Sequence, residues 1–428
     1  NVFNYCIFSK SVGGAYMAQT PQKLPSRSTI WTRNFTCAML ANFLMSMSHF
    51  AVNTLVATYA THLGAGPVLM GFLTGMFFGV ALAIRPISGP LMTKVDKRLL
   101  MISIFALGSV VNIGYALFRS IPAFVFFRFL HGVQYSFMGA LIMTVASDSL
   151  PPEKMASGIG VFGVGSAIGQ AVGPTIGYTM ERLGQKVFGE EEGFTLVFLF
   201  AVVATAAAII PSVLLRPDKR SKEEVQSAGA WYENIVTVHA LPATLVNFFL
   251  SMASSLYVSY LFNFGVEKGI ENINLFFTIT AITLVISRIF SGYLTDRYGL
   301  KKVVLPGMVL IIASFLIVGF SRSLTPVLIA AVLSALGTGA TNPALQAMCM
   351  QSVPSIKRSV ASNTLYIGID LALFLGPLYG SVVYKYSDYA TVFISGVAPV
   401  ILGFVSFLFV LPMYQKRRRE LESASQPE

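Results

Sequence analysis

Residues 288–302 read Arg-Ile-Phe-Ser-Gly-Tyr-Leu-Thr-Asp-Arg-Tyr-Gly-Leu-Lys-Lys, where an apolar segment ends in a run of charges. Four of the first seven positions recur 203 residues earlier, where residues 85–91 read Arg-Pro-Ile-Ser-Gly-Pro-Leu. Further blocks recur in the same order at an offset of 203 or 205: Asn42-Phe43-x-x-Ser46-Met47 on Asn247-Phe248-x-x-Ser251-Met252, Arg119-Ser120 on Arg322-Ser323, Pro151 on Pro354, and Gly173-Pro174-x-x-Gly177 on Gly376-Pro377-x-x-Gly380. Ordered matches at one near-constant offset indicate two parallel halves, an arrangement found in one class of transporters.

The composition places this duplicated chain in a membrane. Of its 428 residues 54% are hydrophobic and 11% charged, whereas soluble domains carry about 25% charged residues. A membrane-spanning helix needs about 20 mostly apolar residues. Twelve such segments are predicted, at 34–60, 67–92, 99–118, 121–147, 155–180, 194–215, 239–265, 272–294, 303–320, 324–350, 357–384 and 389–412.

The sequence therefore predicts an all-α polytopic membrane protein with twelve transmembrane helices in two pseudo-symmetric six-helix halves. The predicted parts are an N-terminal cytoplasmic arm (1–30), the first half (31–215), a charged central linker (216–238), the second half (239–412) and a cytoplasmic tail (413–428). The first 28 residues are not interpreted as a signal peptide, because Lys10 and glycines interrupt their apolar runs. Met17 is an alternative natural start.

The positive charge of the chain follows this topology. The net charge is +11, and 21 of the 30 Lys and Arg residues fall on the predicted inner side against 6 on the outer side. This bias predicts that both termini are cytoplasmic and that the protein lies in the cytoplasmic (inner or plasma) membrane. The excess of positive charge lies almost entirely in the predicted inner loops and is explained by membrane topology, so it does not indicate a nucleic-acid partner. Within the spans lie Arg85, Arg128 and Arg288 against Asp370.

The loop at 288–302 resembles the signature loop of the major facilitator superfamily, Gly-x-x-x-Asp-Arg-x-Gly-Arg/Lys-Arg/Lys. The first copy keeps the glycine but has threonine and lysine at the Asp and Arg positions. Helix 4 has Arg128-x-x-His131-Gly132, similar to another motif of this family. The resemblance implies the family fold, alternating access and a gating role for Gly89, Thr93, Lys94, Gly292, Asp296 and Arg297.

The chemistry of this loop predicts a latch. Asp296 can pair with a neighbouring arginine or face a helix N-terminus, and either contact would hold one side of the protein shut. Gly89 and Gly292 permit close approach of another helix. In the first copy Asp96 or Asp148 can take the place of the missing acid. The alternative is that these charges only set the topology.

Helix 5 carries glycines at strict four-residue spacing, Gly165, Gly169, Gly173 and Gly177. They resemble a motif of the drug and metabolite antiporter branch. A smooth helix face of this kind permits close helix packing, and Pro174 can bend the helix. Simple packing is the alternative to an antiport role. The predicted packing residues in helices 5 and 11 are Gly169, Gly173, Pro174, Gly177, Gly376 and Pro377.

Ionisable residues at membrane depth are costly, so each is a candidate for function. The candidates for proton coupling are Asp370, His49 and His131. The antiporter branch often has an acid in helix 1, where this chain has His49. The predicted substrate-cavity residues are Asn42, Ser46, His49, Asn53, Arg128, Gln134, Tyr135, Asn247, Ser251, Ser254, Tyr366 and Asp370. The alternatives are hydrogen bonds between helices and a structural Arg128–Asp370 ion pair.

These observations predict a secondary active transporter that exchanges protons for a small organic solute, with efflux favoured by the helix 5 motif. A proton-coupled importer of a sugar, amino acid or organic acid is the alternative within transport, and a non-transporting membrane sensor is the alternative outside it. An enzyme is disfavoured because His49, His131 and Asp370 lie singly on three helices. No nucleotide-binding loop or metal-ligand spacing is found, so no cofactor is expected. The expected partners are the substrate and the lipid bilayer, and the expected functional unit is a monomer.

Overall fold

The computed structural model describes residues 29–189, 192–217 and 229–424, and these ranges contain twelve long helices and no strand. The helices are α1 (Arg33–His62), α2 (Pro67–Lys94), α3 (Lys97–Leu117), α4 (Ile121–Asp148), α5 (Met155–Phe188), α6 (Gly193–Ala207, continued by Ile209–Val213), α7 (Leu241–Lys268), α8 (Leu275–Tyr298), α9 (Leu300–Phe320), α10 (Leu324–Gln351), α11 (Arg358–Lys385) and α12 (Tyr389–Ser395, continued by Val397–Ala424). All twelve are long and apolar enough to cross a membrane. The all-α fold class and the twelve predicted spans are confirmed.

Polar side chains mark where several helices begin. Thr32 precedes α1 and accepts a hydrogen bond from the Phe35 backbone N–H at 3.2 Å. Asp96 caps α3 in the same way, because its Oδ1 accepts from the N–H groups of Arg98 and Leu99. Such caps satisfy N–H groups that have no partner inside the helix.

The last helix extends beyond its predicted end. The predicted span ends at residue 412, and α12 continues through the predicted tail as far as Ala424. Two ion pairs at helical spacing accompany the extension, Arg417–Glu420 at 3.2 Å and Arg418–Glu422 at 2.7 Å. Pairs at these spacings stabilise an exposed helix modestly. The predicted N-terminal arm as far as residue 28, and residues 218–228 of the predicted linker, lie outside the described residues.

The loops lie at two opposite ends of the helical bundle. Arg358 at the start of α11 contacts Asp148 at the end of α4, and Gln351 at the end of α10 donates to the carbonyl of Pro152. We call this end, which carries the α2–α3, α4–α5, α8–α9 and α10–α11 loops, the basic end. At the opposite end Arg119 pairs with Glu192 at 2.6 Å.

Glycine-lined faces bring two helix pairs into close contact. A Cβ atom at Gly169, Gly173 or Gly177 of α5 would collide with α1, and one at Gly376 of α11 would collide with α7. Both helices continue through their prolines, Pro174 and Pro377. The two halves meet along two further pairs, which we call the α5–α8 seam and the α2–α11 seam.

Candidate functional site

The α5–α8 seam closes at the basic end on the carboxylate of Asp296, in the last turn of α8. This carboxylate accepts hydrogen bonds from the backbone N–H of Ala156 at 3.1 Å and of Ser157 at 2.7 Å, and from the Ser157 hydroxyl. These groups belong to the first turn of α5, where N–H groups have no helical partner and the helix dipole favours negative charge. Of the two partners that the sequence left open, the structure shows the helix N-terminus.

Gly292 lets α8 approach α5 one turn before Asp296. A Cβ atom at this position would lie 2.5 Å from the Ala156 carbonyl oxygen and 2.8 Å from Ser157 Cα. Gly160 of α5 faces the carbonyl oxygen of Arg288 at the same short distance. Neither backbone can move away without separating the helices, so any side chain here would open the seam.

The α2–α11 seam repeats this arrangement with different side chains. A Cβ atom at Gly89 would lie 2.6 Å from Asn363 Nδ2, and that amide donates to the carbonyl oxygen of Arg85 at 3.1 Å. Asn363 is the repeat counterpart of Gly160, which faces the equivalent carbonyl in the other seam. Thr93, at the counterpart of Asp296, donates its hydroxyl to the Gly89 carbonyl of its own helix.

Asp148 supplies an acid at the basic end of this second seam. It lies 3.4 Å from Arg358 at the start of α11 and 2.6 Å from Lys97 at the start of α3. Asp96, the other predicted substitute for an acid at position 93, caps α3 within its own half. The contact between the halves is therefore made by Asp148.

Lys94 and Arg297 lie at the surface of the basic end. Lys94 Nζ lies 6.0 Å from the ring centre of Trp231, in the last part of the linker. Arg297 donates to the Tyr293 hydroxyl at 2.9 Å and lies beside the ring of Tyr298. Neither forms an ion pair between the halves in the described part of the chain.

The ion pair at membrane depth joins Arg85 of α2 to Asp370 of α11. Arg85 Nε lies 2.9 Å from Asp370 Oδ2, and both side chains are buried. Arg85 also donates to the Ser136 carbonyl of α4, and the Tyr366 ring centre lies 5.1 Å from its Cζ. Arg85 Nη2 and Asp370 Oδ1 have no hydrogen-bond partner among the described residues. Sequence reasoning placed Arg85 within a span but did not include it with Asp370 among the coupling candidates, although the repeated Arg-x-x-Ser-Gly block was a signal for it.

Arg128 lies elsewhere, so the Arg128–Asp370 ion pair that the sequence left open is wrong. Arg128 donates to Asn53 Oδ1 at 2.7 Å and to the Leu73 carbonyl at 3.0 Å, and its Cζ lies 4.8 Å from the Phe77 ring centre. It is eight residues from Ser136, the α4 residue that Arg85 contacts, or about 12 Å along the helix. Arg128 therefore connects helices within the first half.

The two predicted proton-coupling histidines are neighbours. The His49 ring stacks on Tyr135 at 5.2 Å between ring centres and lies 6.2 Å from His131. His131 Nδ1 lies 3.3 Å from the Tyr115 hydroxyl. Both histidines and Gln134 border a void of about 10 Å³, which is close to the size that holds one water molecule.

A central cavity of about 170 Å³ lies between the halves, lined by residues of α1, α4, α5, α8, α10 and α11. Five of the predicted cavity residues line it: Asn42, Ser46, His49, Tyr135 and Tyr366. Seven of the predicted residues are not among those that line it: Asn53, Arg128, Gln134, Asn247, Ser251, Ser254 and Asp370. Four further polar lining residues were not among the predicted cavity residues: Ser166, Arg288, Asn342 and Gln346. The last two lie at i and i+4 of an apolar helix, the pattern that had indicated Asn42 and Ser46.

The side chains on the predicted polar face of α7 form hydrogen bonds within their own helix. The Ser251 hydroxyl donates to Asn247 Oδ1 at 3.0 Å, and the Ser254 hydroxyl donates to the Leu250 carbonyl. Its counterpart in α1 behaves differently, because Asn42 donates across to the Phe162 carbonyl of α5 in the cavity wall. The duplicated sequence block therefore contributes to the cavity from one half only.

A comparison with known families shows to which protein family this chain belongs. The sequence profile of the Major Facilitator Superfamily matches residues 38–271 and 240–427. The chain belongs to this superfamily. It is a multi-pass membrane transporter rather than an enzyme, as its family and relatives indicate.

The similar proteins include two bacterial proteins that are named for multidrug resistance. The chain is 24% identical over 379 residues to the multi-drug resistance efflux pump PmrA of Streptococcus pneumoniae serotype 4, covering 85% of this chain and 92% of PmrA. It is 25% identical over 413 residues to the multidrug resistance protein MdtG of Klebsiella pneumoniae, covering 93% and 97%. Among solved structures, the E. coli fucose:proton symporter FucP is similar with a TM-score of 0.72 at 16% identity, covering 88% and 98%. That last likeness supports the fold alone.

Proposed function

We propose that this transporter exports a small organic solute in exchange for protons, by alternating access between its two halves. The observation that carries the coupling is the buried Arg85–Asp370 ion pair between the halves. The direction is supported by the similarity to PmrA and MdtG, which are named for efflux or drug resistance. The charge bias of the loops supports a cytoplasmic position for the basic end.

Protonation of Asp370 would change how tightly the halves are held together. A neutral carboxyl leaves Arg85 as a buried cation without its counter-ion, which is strongly unfavourable in a low-dielectric interior. Separation of α2 from α11 would relieve this cost, because it admits water to the guanidinium. A proton that enters at Asp370 would thus favour opening of the α2–α11 seam.

The contacts at the basic end support a second element of the mechanism. In the described ranges, the hydrogen bonds between the halves run from the Arg85–Asp370 level to the basic end, where Asp296 and Asp148 lie. The structure therefore represents a state closed at this end. Transport would require these contacts to break and reform as the halves rock. Both seams and the cavity lie within one chain, which supports a monomeric functional unit.

The coupling is tested in proteoliposomes that contain a trapped pH indicator. Ethidium, benzoate and xylose represent a cation, an anion and a sugar, and the proposal expects that at least one of them exchanges with protons. Asp370→Asn should abolish solute-driven proton movement. The paired variant Arg85→Gln with Asp370→Asn leaves no unpaired charge, so it should fold and exchange solute without moving protons.

Asp388→Asn is the matched control, because this partly exposed carboxylate lies at the start of α12 outside the seams. It should retain proton movement. Unchanged proton movement in both Asp370 variants would contradict the proposed coupling. Solute and protons moving in the same direction would contradict export and indicate an importer, and absence of any solute flux would indicate a sensor.

A further inference from the structure

Arg288 is a half-buried cation in the wall of the central cavity, and the described residues offer it no counter-ion. It lies ten residues before the end of α8, or about 15 Å along the helix from the basic end. Its Nη1 donates to the Gly163 carbonyl and to the Ser166 hydroxyl, and its Nε has no hydrogen-bond partner. Charged groups inside a protein are normally paired, and one without a counter-ion at membrane depth is a candidate for a functional site.

The internal repeat shows what this arginine lacks. Arg85, the counterpart of Arg288, has Asp370 as its counter-ion on the facing helix. The position 203 residues before Asp370 is Ala167 of α5, which is buried against Leu284. In the α2–α11 seam, Asp370 thus neutralises Arg85. In the α5–α8 seam, the equivalent Arg288 has no acidic partner among the described residues and lies beside the cavity.

The side chains that line the cavity around Arg288 are suited to binding an anion. No acidic residue lines this cavity in the described ranges, and Arg288 is its one charged lining residue there. The hydrogen-bonding side chains in the wall include the amides of Asn342 and Gln346 and the hydroxyls of Ser46, Tyr135 and Tyr366. Carboxylate, phosphate and sulfonate groups accept several hydrogen bonds and bind a guanidinium in bidentate geometry.

Apolar side chains complete the wall and limit the size of the occupant. Phe50, Ile159, Phe162 and Pro343 offer surface for a hydrocarbon group. The volume of about 170 Å³ is below the range of about 300–1,000 Å³ that is usual for drug-sized ligands. The occupant that fits both properties is a small anion with an apolar body.

We propose that Arg288 binds the anionic group of a small organic anion, and that such anions are the substrate class. This inference rests on the proposed transport function, since it assigns the occupant of the same cavity. The substrate supplies the counter-ion that Asp370 supplies in the other seam. Arg288 is then a binding residue whose charge remains uncompensated until substrate enters.

Calorimetric binding to the purified transporter tests this assignment directly. Benzoate, phenyl phosphate and benzenesulfonate are compared with benzamide and benzylammonium, which carry a similar ring without the negative charge. At least one anion should bind, and the neutral and cationic probes should bind at least tenfold more weakly. Equal binding of charged and neutral probes, or no binding of any anion, would overturn the proposal.

Substitutions separate the charge of Arg288 from its bulk. Arg288→Gln should weaken anion binding by about 10- to 100-fold, the usual worth of a hydrogen-bonded charge. Arg288→Lys should keep part of the affinity, because it retains the charge but loses the bidentate geometry. Arg322→Gln, an exposed change in the same half, should have no effect. Full anion affinity in Arg288→Gln would refute the assignment.

An acid at position 167 provides an independent test. Ala167→Asp should give Arg288 a counter-ion within the chain and so abolish anion binding. Ala167→Asn has nearly the same volume without the charge and should keep the affinity, so it controls for packing. Equal affinities in these two variants would count against the proposal.

Failure of this inference is distinguishable from failure of the transport proposal. A cation or sugar that exchanges with protons, in a protein that does not bind anions, would leave the transport function intact and remove the substrate class. Anion binding at Arg288 without any flux would preserve the site and remove the transport function.

Discussion

Arg85 and Asp370 join the two halves of the transporter by a single contact of 2.9 Å between Nε and Oδ2. The remaining polar atoms that could have formed a second contact, Arg85 Nη2 and Asp370 Oδ1, are buried without partners in the described chain. A bidentate arginine–carboxylate pair would be stronger and more rigid. Because the halves are held here by a single Arg85–Asp370 contact, a small separation of α2 from α11 can break it.

The first prediction concerns the stability of this pair. Arg85→Met and Asp370→Leu should each destabilise the folded protein by about 3–5 kcal/mol, because each leaves one charge unpaired in the interior. The double variant should recover most of the loss, since apolar groups of similar volume replace both charges. Thermal unfolding in detergent, followed for all four proteins, gives the coupling energy.

An exposed ion pair at the opposite end is the control for that cycle. Arg119 and Glu192 lie 2.6 Å apart and are about one-third exposed. The cycle with Arg119→Met and Glu192→Leu should give a coupling energy of only about 0–1 kcal/mol. Similar coupling energies in the two cycles would show that burial between the halves adds nothing to the Arg85–Asp370 contact.

The second prediction concerns Asp296 as a latch at the basic end. Asp296→Ala removes the acceptor for the first N–H groups of α5, a loss of about 0.5–2 kcal/mol for a helix cap. This loss is confined to the closed state, so the open state should become several-fold more populated. The readout is maleimide labelling of Gln346→Cys in the central cavity from the basic side, after replacement of the native cysteines by serine.

Asp96→Ala is the matched control, because it removes a helix cap that does not join the halves. Asp96 accepts from two N–H groups of α3 in its own half, as Asp296 does across the seam. The control should lower stability without changing the labelling of Gln346→Cys. Equal labelling rates in the two variants would mean that Asp296 does not hold the basic end closed.

The sequence predicts the helices far better than the contacts between them. Hydropathy and an internal repeat indicate twelve spans because each span must be apolar over its full length. The capping of α5 by Asp296 was foreseeable as one of two alternatives, since an acid in a short loop has few partners. The pairing of Asp370 with Arg85 was not, because it depends on the rotation of two helices whose residues are 285 positions apart.

The unpaired charge of Arg288 is a second example of a feature that depends on contacts between helices and could not be predicted from the sequence. The repeat places Arg288 opposite Ala167 as soon as Arg85 is known to face Asp370, but that fact comes from the three-dimensional contact. The sequence instead drew attention to Arg128, because Arg128 lies at membrane depth within a family-like motif. Arg128 is instead held by Asn53 and a backbone carbonyl in the first half.

The third prediction tests whether the α5–α8 seam depends on the absence of one side chain. Gly292→Ala places a Cβ atom 2.5 Å from the Ala156 carbonyl oxygen, so α8 must move away from α5 and lose about 1–3 kcal/mol of packing. Gly79→Ala in α2 meets no atom within 4 Å and should instead stabilise its helix by about 0.5–1 kcal/mol. Thermal unfolding should therefore move in opposite directions for the two substitutions, and labelling of the cavity from the basic side should rise only for Gly292→Ala. A stabilised Gly292→Ala with unchanged labelling would show that the closed seam tolerates a wider spacing than the structure indicates.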